Sequence, residues 1–247
     1  MRAIICLLGC VLTACHTVYV PNGRNSPMFS AARELQVAAA LSTGDYAAGL
    51  SGKNMDFDFQ TAFSLTEHLG LMGNYSFTDA GHHDRHPSQQ RRHRFGEGGL
   101  GYYSNSGGTY FEFFTGFGSG YGNTTYEDAC NAPIPDPDTP YSRFFLQPAL
   151  GLKKTSQHLA FVSRFSMVFF SNYGQRHEQL SLFFIEPAVL GKINLLNNQL
   201  YVQWQAGVSF SGSRAYPGRC LDDVPFNFSF GVGARLGAFK NNGGLAY

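Results

Sequence analysis

The stretch MDFDFQTAFSL, residues 55–65, places Met55, Phe57, Phe59, Thr61, Phe63 and Leu65 on one parity and Asp56, Asp58, Gln60, Ala62 and Ser64 on the other. Successive side chains of an extended chain point to opposite faces, so this is a β-strand with one apolar and one polar face. Thr66, Glu67 and His68 interrupt the pattern, which resumes with Leu69, Leu71, Gly73, Tyr75 and Phe77 set against Asn74, Ser76 and Thr78. Two neighbouring strands of about eleven residues, joined by a tight turn, are long enough to cross a membrane when tilted.

The same alternation recurs along the chain. TYFEFFTGFGSGY sets Phe111, Phe113, Phe117 and Tyr121 against Tyr110, Glu112 and a glycine series, and LAFVSRFSMVFF sets Phe161, Phe165, Met167 and Phe169 against Arg164 and Ser166. LYVQWQAGVSF opposes Val202, Trp204, Ala206, Val208 and Phe210 to Gln203, Gln205 and Ser209; FNFSFGVGARLGAF opposes Phe226, Phe228, Phe230, Val232 and Leu236 to Asn227, Ser229, Arg235 and intervening glycines. A soluble sandwich alternates as well, so the connections must decide. Short ones (66–68, 105–108, 155–158, 195–199) interleave with longer ones near 43–53, 80–92, 126–140, 172–177 and 212–224. That asymmetry is the pattern of a membrane barrel with tight turns at one mouth and long loops at the other. The fold expected is therefore all-β, an antiparallel up-and-down transmembrane β-barrel over residues 34–247, with both termini on the side of the short turns. Ten strands are expected, or eight if two poorly patterned segments do not form. Those segments are RHRFGEGGLGYY, where neither parity is cleanly apolar, and LSLFFIEPAVLGKI, where both faces are apolar and Pro187 removes a ladder bond. A bulge, inward aromatics or a covered face would each account for them.

Composition agrees with export and membrane insertion. Charged residues make up 14% of the chain against about 25% in an average soluble protein, aromatics make up 15%, and there are 29 glycines. Met1 and Arg2 precede an apolar run from Ala3 to Leu12, too short for a helix across about 30 Å of hydrocarbon and suited to a secretory signal. Leu12-Thr13-Ala14-Cys15 resembles the lipobox of bacterial lipoproteins, which implies a signal peptide over 1–14, a lipid on Cys15 and a tether over 15–33. Leu7-Leu8-Gly9-Cys10 fits that pattern loosely, and an ordinary signal with a chance cysteine remains the alternative. With Arg2 removed, 17 basic residues (18 − 1) balance 17 acidic ones; this argues against a nucleic-acid partner, which requires a positive excess.

The signal, the aromatic strands with short turns, and a last strand ending on Phe239 together resemble the small outer-membrane β-barrel superfamily. The resemblance implies a bacterial outer-membrane protein with outer-membrane lipid as its surroundings, and puts a lipid on Cys15 in the periplasmic leaflet. The chain runs on past Phe239 to Tyr247, so either aromatic could serve as the terminal assembly signal.

Turning apolar faces to lipid sends a polar set inward: Asp56, Asp58, Gln60, Glu112, Gln147, Lys153, Arg164, Gln203, Gln205 and Arg235. Opposed charges in a narrow barrel meet and pair. The leading expectation is an ion-paired, plugged lumen; the alternative, suggested by inward glycines, is a narrow channel for small solutes. In the second long loop, His82, His83, Asp84 and His86 accompany Arg91 and Arg92. Neutral imidazoles bind metals, but the neighbouring arginines repel a cation, so the loop is read as a cationic binding surface, with no metal and no cofactor expected. Cys130 and Cys220 fall in long loops at one mouth and are expected to form a disulfide, since an exported chain with an even pair of cysteines favours one.

A remote alternative is a rim hydrolase of omptin-like outline using Asp79, His82, His83, Asp84, Asp222 and Asp223, but no Asp-x-His pair appears on these loops. A soluble periplasmic β-domain is a further alternative. The reading adopted is a lipid-anchored structural or interaction protein, not an enzyme, acting through its external loops or as a subunit with another envelope protein.

Overall fold

A computed structural model describes residues 22–45, 55–79, 89–126, 139–173, 178–211 and 226–237. The strands are β1 (Leu35–Asp45), β2 (Met55–Ser64), β3 (Leu69–Asp79), β4 (Gln89–Ser106), β5 (Thr109–Tyr126), β6 (Thr139–Lys153), β7 (Gln157–Tyr173), β8 (Glu178–Leu195), β9 (Leu200–Val208), β10 (Phe210–Ser211) and β11 (Phe226–Leu236). Each pairs antiparallel with its neighbours, and β1 pairs with both β2 and β11, which closes the sheet. β10 continues β9 beyond Ser209 in the same register against β8: Ala188 opposes Gly207, and Ile185 opposes Phe210. The barrel thus has ten staves. Closure through β1–β11 and β8–β9 removes the long open edges that a spanning sheet cannot tolerate in lipid.

The tight connections follow from local chemistry. At Gly107 and Gly108, with φ of 58° and 86°, the β4–β5 hairpin uses a two-residue turn that needs left-handed backbone at both positions. Between β2 and β3, the Thr66 hydroxyl accepts the amides of His68 and Leu69.

The outer wall is apolar: Phe59, Tyr75, Phe161, Phe228 and Phe230 are all exposed, at 42–56% of their surface. The alternate positions are buried inside. A single closed sheet has no second sheet to cover that outer face, so it needs a lipid solvent, and the chain is a transmembrane β-barrel.

β4 and β8 form complete staves. Their weak patterning comes from aromatic and aliphatic side chains on the lumen side: Phe95 and Tyr103 on β4, and Leu180, Leu182, Phe184 and Leu190 on β8, are buried inside. Pro187 is accommodated within β8 opposite Ser163. β4 also starts before the end of the loop expected over 80–92: Arg91 and Arg92 lie in the ladder, opposite Thr124 and Asn123 of β5. The long β4–β5 hairpin turns the end of that expected loop into strand.

Residues 22–33, read from sequence as part of a tether, lead into β1 from within the barrel, and residues 22–29 are all buried.

Candidate functional site: a strap inside the lumen

The lumen is occupied by the segment NGRNSPMF, residues 22–29, a strap without regular secondary structure. Its backbone makes no ladder, so its polar groups need other partners. Side chains of the surrounding staves supply many of them, and those side chains are the polar parity of the strands.

At its upstream end, Asn22 bridges charges of both signs. Its amide nitrogen donates to Glu97 on β4 at 3.1 Å, and its amide oxygen accepts from Arg143 on β6 at 2.7 Å and Arg164 on β7 at 2.8 Å. Glu97 itself pairs with Arg143, lies 3.4 Å from Arg164 and accepts from Asn74 at 2.6 Å. Arg164 also donates twice to Gln147, which in turn donates to the Asn25 carbonyl at 2.7 Å. The guanidiniums of Arg143 and Arg164 rest over the Phe95 and Phe145 rings, at 4.4 and 5.2 Å from the ring centroids. Inward aromatics thereby help hold buried cations.

The next residues are gripped from other sides. Asp58 on β2 accepts the Gly23 amide at 3.3 Å and the Ser42 hydroxyl at 2.7 Å, and Gln205 on β9 accepts the Arg24 amide at 2.9 Å. Asn25 donates to the Thr61 carbonyl at 3.0 Å. Asp56 pairs with Thr78 across β2 and β3, and Gln203 donates to Gln60.

Glu112 on β5 takes the Ser26 hydroxyl at 2.7 Å and the Met28 amide at 2.6 Å, with Met28 in the left-handed region at φ 56°. Lys192 on β8 donates to the Pro27 carbonyl at 3.1 Å and to Gln36 at 3.2 Å. At the short-turn mouth, Asn105 and Lys153 donate to the Phe29 carbonyl at 2.7 and 3.3 Å. Glu34 there accepts the Ser30 amide at 2.8 Å and forms an ion pair with Arg235 at 2.7 Å. Each neutral bond contributes about 0.5–1.5 kcal/mol net, and those to charged groups about 1.5–3.

Apolar contacts complete the seal. Met28 packs with Tyr110, Ala149, Ala160, Val162 and Leu190; Phe29 packs with Ala62, Met72, Tyr103, Phe114 and Phe145. The inward glycines do not open a channel. A Cβ on Gly118 would lie 2.5 Å from the Phe95 ring, and one on Gly116 2.6 Å from Phe145. These positions are glycine because rings occupy the space.

All ten polar residues assigned to the lumen from sequence point inward: Lys153 is half-buried at the mouth, and Asp56, Asp58, Gln60, Glu112, Gln147, Arg164, Gln203, Gln205 and Arg235 are buried. Sequence reasoning missed Asn22, Glu34, Glu97, Arg143 and Lys192. Parity carried a signal for Glu97, Arg143 and Lys192, since each sits two positions from another inward residue in its strand. No signal marked Asn22.

Cys15, Cys130, Cys220, His82, His83, Asp84, His86, Asp222, Asp223, Phe239 and Tyr247 lie outside the described residues, and of the rim set only Asp79, at the end of β3, falls within them.

No family model matches the chain, and no curated protein sequence matches it. Among solved structures, it is similar to Ail, the attachment invasion locus protein of Yersinia pestis, at 13% identity and a TM-score of 0.29, over 83% of this chain and 99% of that one. It is similar to OmpT, an outer membrane protein of Vibrio cholerae, at 11% identity and a TM-score of 0.30, over 82% and 96%. It is also similar to the siderophore receptor PirA from Pseudomonas aeruginosa, at 13% identity and a TM-score of 0.27, over 73% of this chain and 38% of that one. With scores this low, the assignment of the chain as a transmembrane barrel rests on its own closed sheet and apolar outer wall.

Proposed function

We propose that the chain is a bacterial outer-membrane protein whose barrel is closed by its own N-terminal strap, and that it works as a structural or interaction protein through its long connections, not as a constitutive solute channel. The observation that carries this reading is the unbroken burial of residues 22–29 within the lumen, with polar partners on β2, β4, β5, β6, β7, β8 and β9. A water-filled pore needs a continuous polar path, and here the space between the walls is taken by Met28, Phe29 and inward rings.

The outer membrane is the fitting location because closed barrels with lipid-facing apolar walls are the spanning form of that membrane, and the start of the chain reads as an export signal. Lipid on Cys15 and a Cys130–Cys220 bridge belong to the same reading. Labelling of that cysteine pair by a thiol reagent without reductant is expected to fail.

Planar-bilayer recording of the purified full chain tests the proposal. Absent or small conductance is expected, and a variant lacking residues 22–28 is expected to conduct severalfold more. Steady conductance of the full chain equal to that of the deletion variant would overturn it in favour of a narrow channel.

A further inference from the structure

The strap has a direction, and that direction bears on where the N terminus of the folded protein lies. Read backwards from β1, Arg33 donates its amide to Ser64 at the foot of β2, and the Phe29 carbonyl meets Asn105, the residue before the end of β4 at the short-turn mouth. Further back, Ser26 and Met28 bind Glu112, three positions (112 − 109) above the start of β5. Asn22 binds Glu97 and Arg143, nine positions (106 − 97) above the end of β4 and ten (153 − 143) above the end of β6. The chain therefore climbs away from the short turns as it is traced from Phe29 back to Asn22.

Among the described residues, the way back to the short-turn mouth is already occupied. For residues upstream of Asn22 to leave by the short-turn mouth, they would have to run back beside residues 22–29. The lower lumen is filled by the Met28 and Phe29 clusters and by the Glu112, Lys192, Lys153 and Glu34 contacts. Protein interiors packed this way hold no second extended chain.

The way out over β6 is short. Arg143 is four positions (143 − 139) from the first residue of β6, about 13 Å along the strand. Seven residue steps (22 − 15) lead from Cys15 to Asn22, a reach of roughly 23–25 Å.

We propose that the strap is threaded with its upstream end towards the long connections, so that the N terminus of the mature chain, with any lipid on Cys15, emerges at the external mouth and not on the periplasmic side. This rests on the outer-membrane reading above. It reverses the side on which an anchor acts: acyl chains on Cys15 would enter the outer leaflet, over the rim of the barrel.

The test places an epitope between Thr17 and Val18 of the full chain, with a matched epitope in the 66–68 turn as the internal control. On intact cells, antibody binding and removal by added protease are expected at the first site and not at the second. Detection of the first epitope only after the outer membrane is permeabilised would overturn the proposal. Should the insertion prevent folding, judged by loss of heat-modifiable migration on a gel, Thr17→Cys in a Cys130→Ser, Cys220→Ser background replaces it. A membrane-impermeant maleimide should then label intact cells, and labelling confined to lysed cells refutes the threading. Acylation is scored separately, by incorporation of labelled fatty acid and its loss in Cys15→Ser. An unlipidated but externally labelled chain would therefore refute the anchor and leave the threading standing, and fractionation away from the outer membrane would refute the parent reading alone.

Discussion

Glu97→Gln is the sharpest probe of the lumen network. The side chain is nearly isosteric, so packing beside Gly118 is retained, while the carboxylate charge shared by Arg143 and Arg164 is removed. One of the two oxygens becomes an amide that donates, towards guanidiniums that can only donate. Both ion-pair partners have fully buried side chains. Removing one member of such a pair costs about 3–5 kcal/mol, because the remaining charge keeps its desolvation penalty without its compensation. The loss should also loosen Asn22, whose amide bridges Glu97 and both arginines.

Denaturant unfolding from detergent or liposomes, followed by fluorescence of the single tryptophan, Trp204 on β9, measures the effect directly. The expected loss is about 3–5 kcal/mol. Adding Arg143→Met to Glu97→Gln should cost less than the two single changes summed, by about 1–3 kcal/mol, since the pair is coupled. A Glu97→Gln variant within about 1 kcal/mol of the parent, together with additivity in the double variant, would show that the charges behave as solvated surface groups and would refute a dry, ion-paired lumen.

Other outcomes follow from particular contacts. Gly118→Ala forces a methyl to within 2.8 Å of the Gly96 carbonyl as well as against the Phe95 ring, so a loss of about 1–3 kcal/mol is expected, read as a lower temperature for the heat-modified gel shift. Phe230→Lys, at a half-exposed position of the outer wall, should cost about 2–4 kcal/mol in lipid if it lies near the bilayer midplane, and a silent substitution would argue that this face does not meet hydrocarbon. Gly108→Val, at φ 86° in the two-residue hairpin turn, should cost about 1–2 kcal/mol and slow refolding into liposomes without altering the conductance of the folded protein.

The fold was legible where the outer wall is uniformly apolar and the inner wall uniformly polar. β2 and β3 are such strands, and alternation from Met55 to Phe77 located both and the turn between them. It faded in β4 and β8 for a physical reason. The upper lumen contains an apolar cluster of Phe95, Tyr141, Val168, Phe170, Leu180, Leu182 and Phe184, so the inward parity there is as apolar as the outward one. Inward aromatics were one of the accounts offered; they hold for β4, while in β8 the inward apolar residues are chiefly aliphatic and the β7–β8 ladder also carries a register shift between Phe170 and Tyr173.

The candidate site was legible only in part. Which side chains face inward follows from parity, and that placed Asp58, Glu112, Arg164 and Gln205. What they face does not follow. NGRNSPMF has no period and little hydrophobicity, because its partners are side chains scattered over seven staves and far away in sequence, up to 181 residues between Arg24 and Gln205. A segment whose order is supplied by surrounding walls carries no internal mark of being ordered. Inward glycines misled in the same way: Gly116 and Gly118 suggest open space in one dimension and ring-filled space in three.

The seam of the barrel is the pairing of β1 with β11, the first and last staves made, and the strap is attached directly upstream of β1. A closed hoop with eight residues gripped at its centre is not readily filled afterwards. The cylinder must therefore be rolled around a thread already in place, with residues 22–29 laid against the inner surface of the growing sheet before the last stave docks. Biogenesis then has a built-in order of events, and a catalyst of membrane insertion working on this chain must leave room on its lumen side for that passenger while it zips the wall shut.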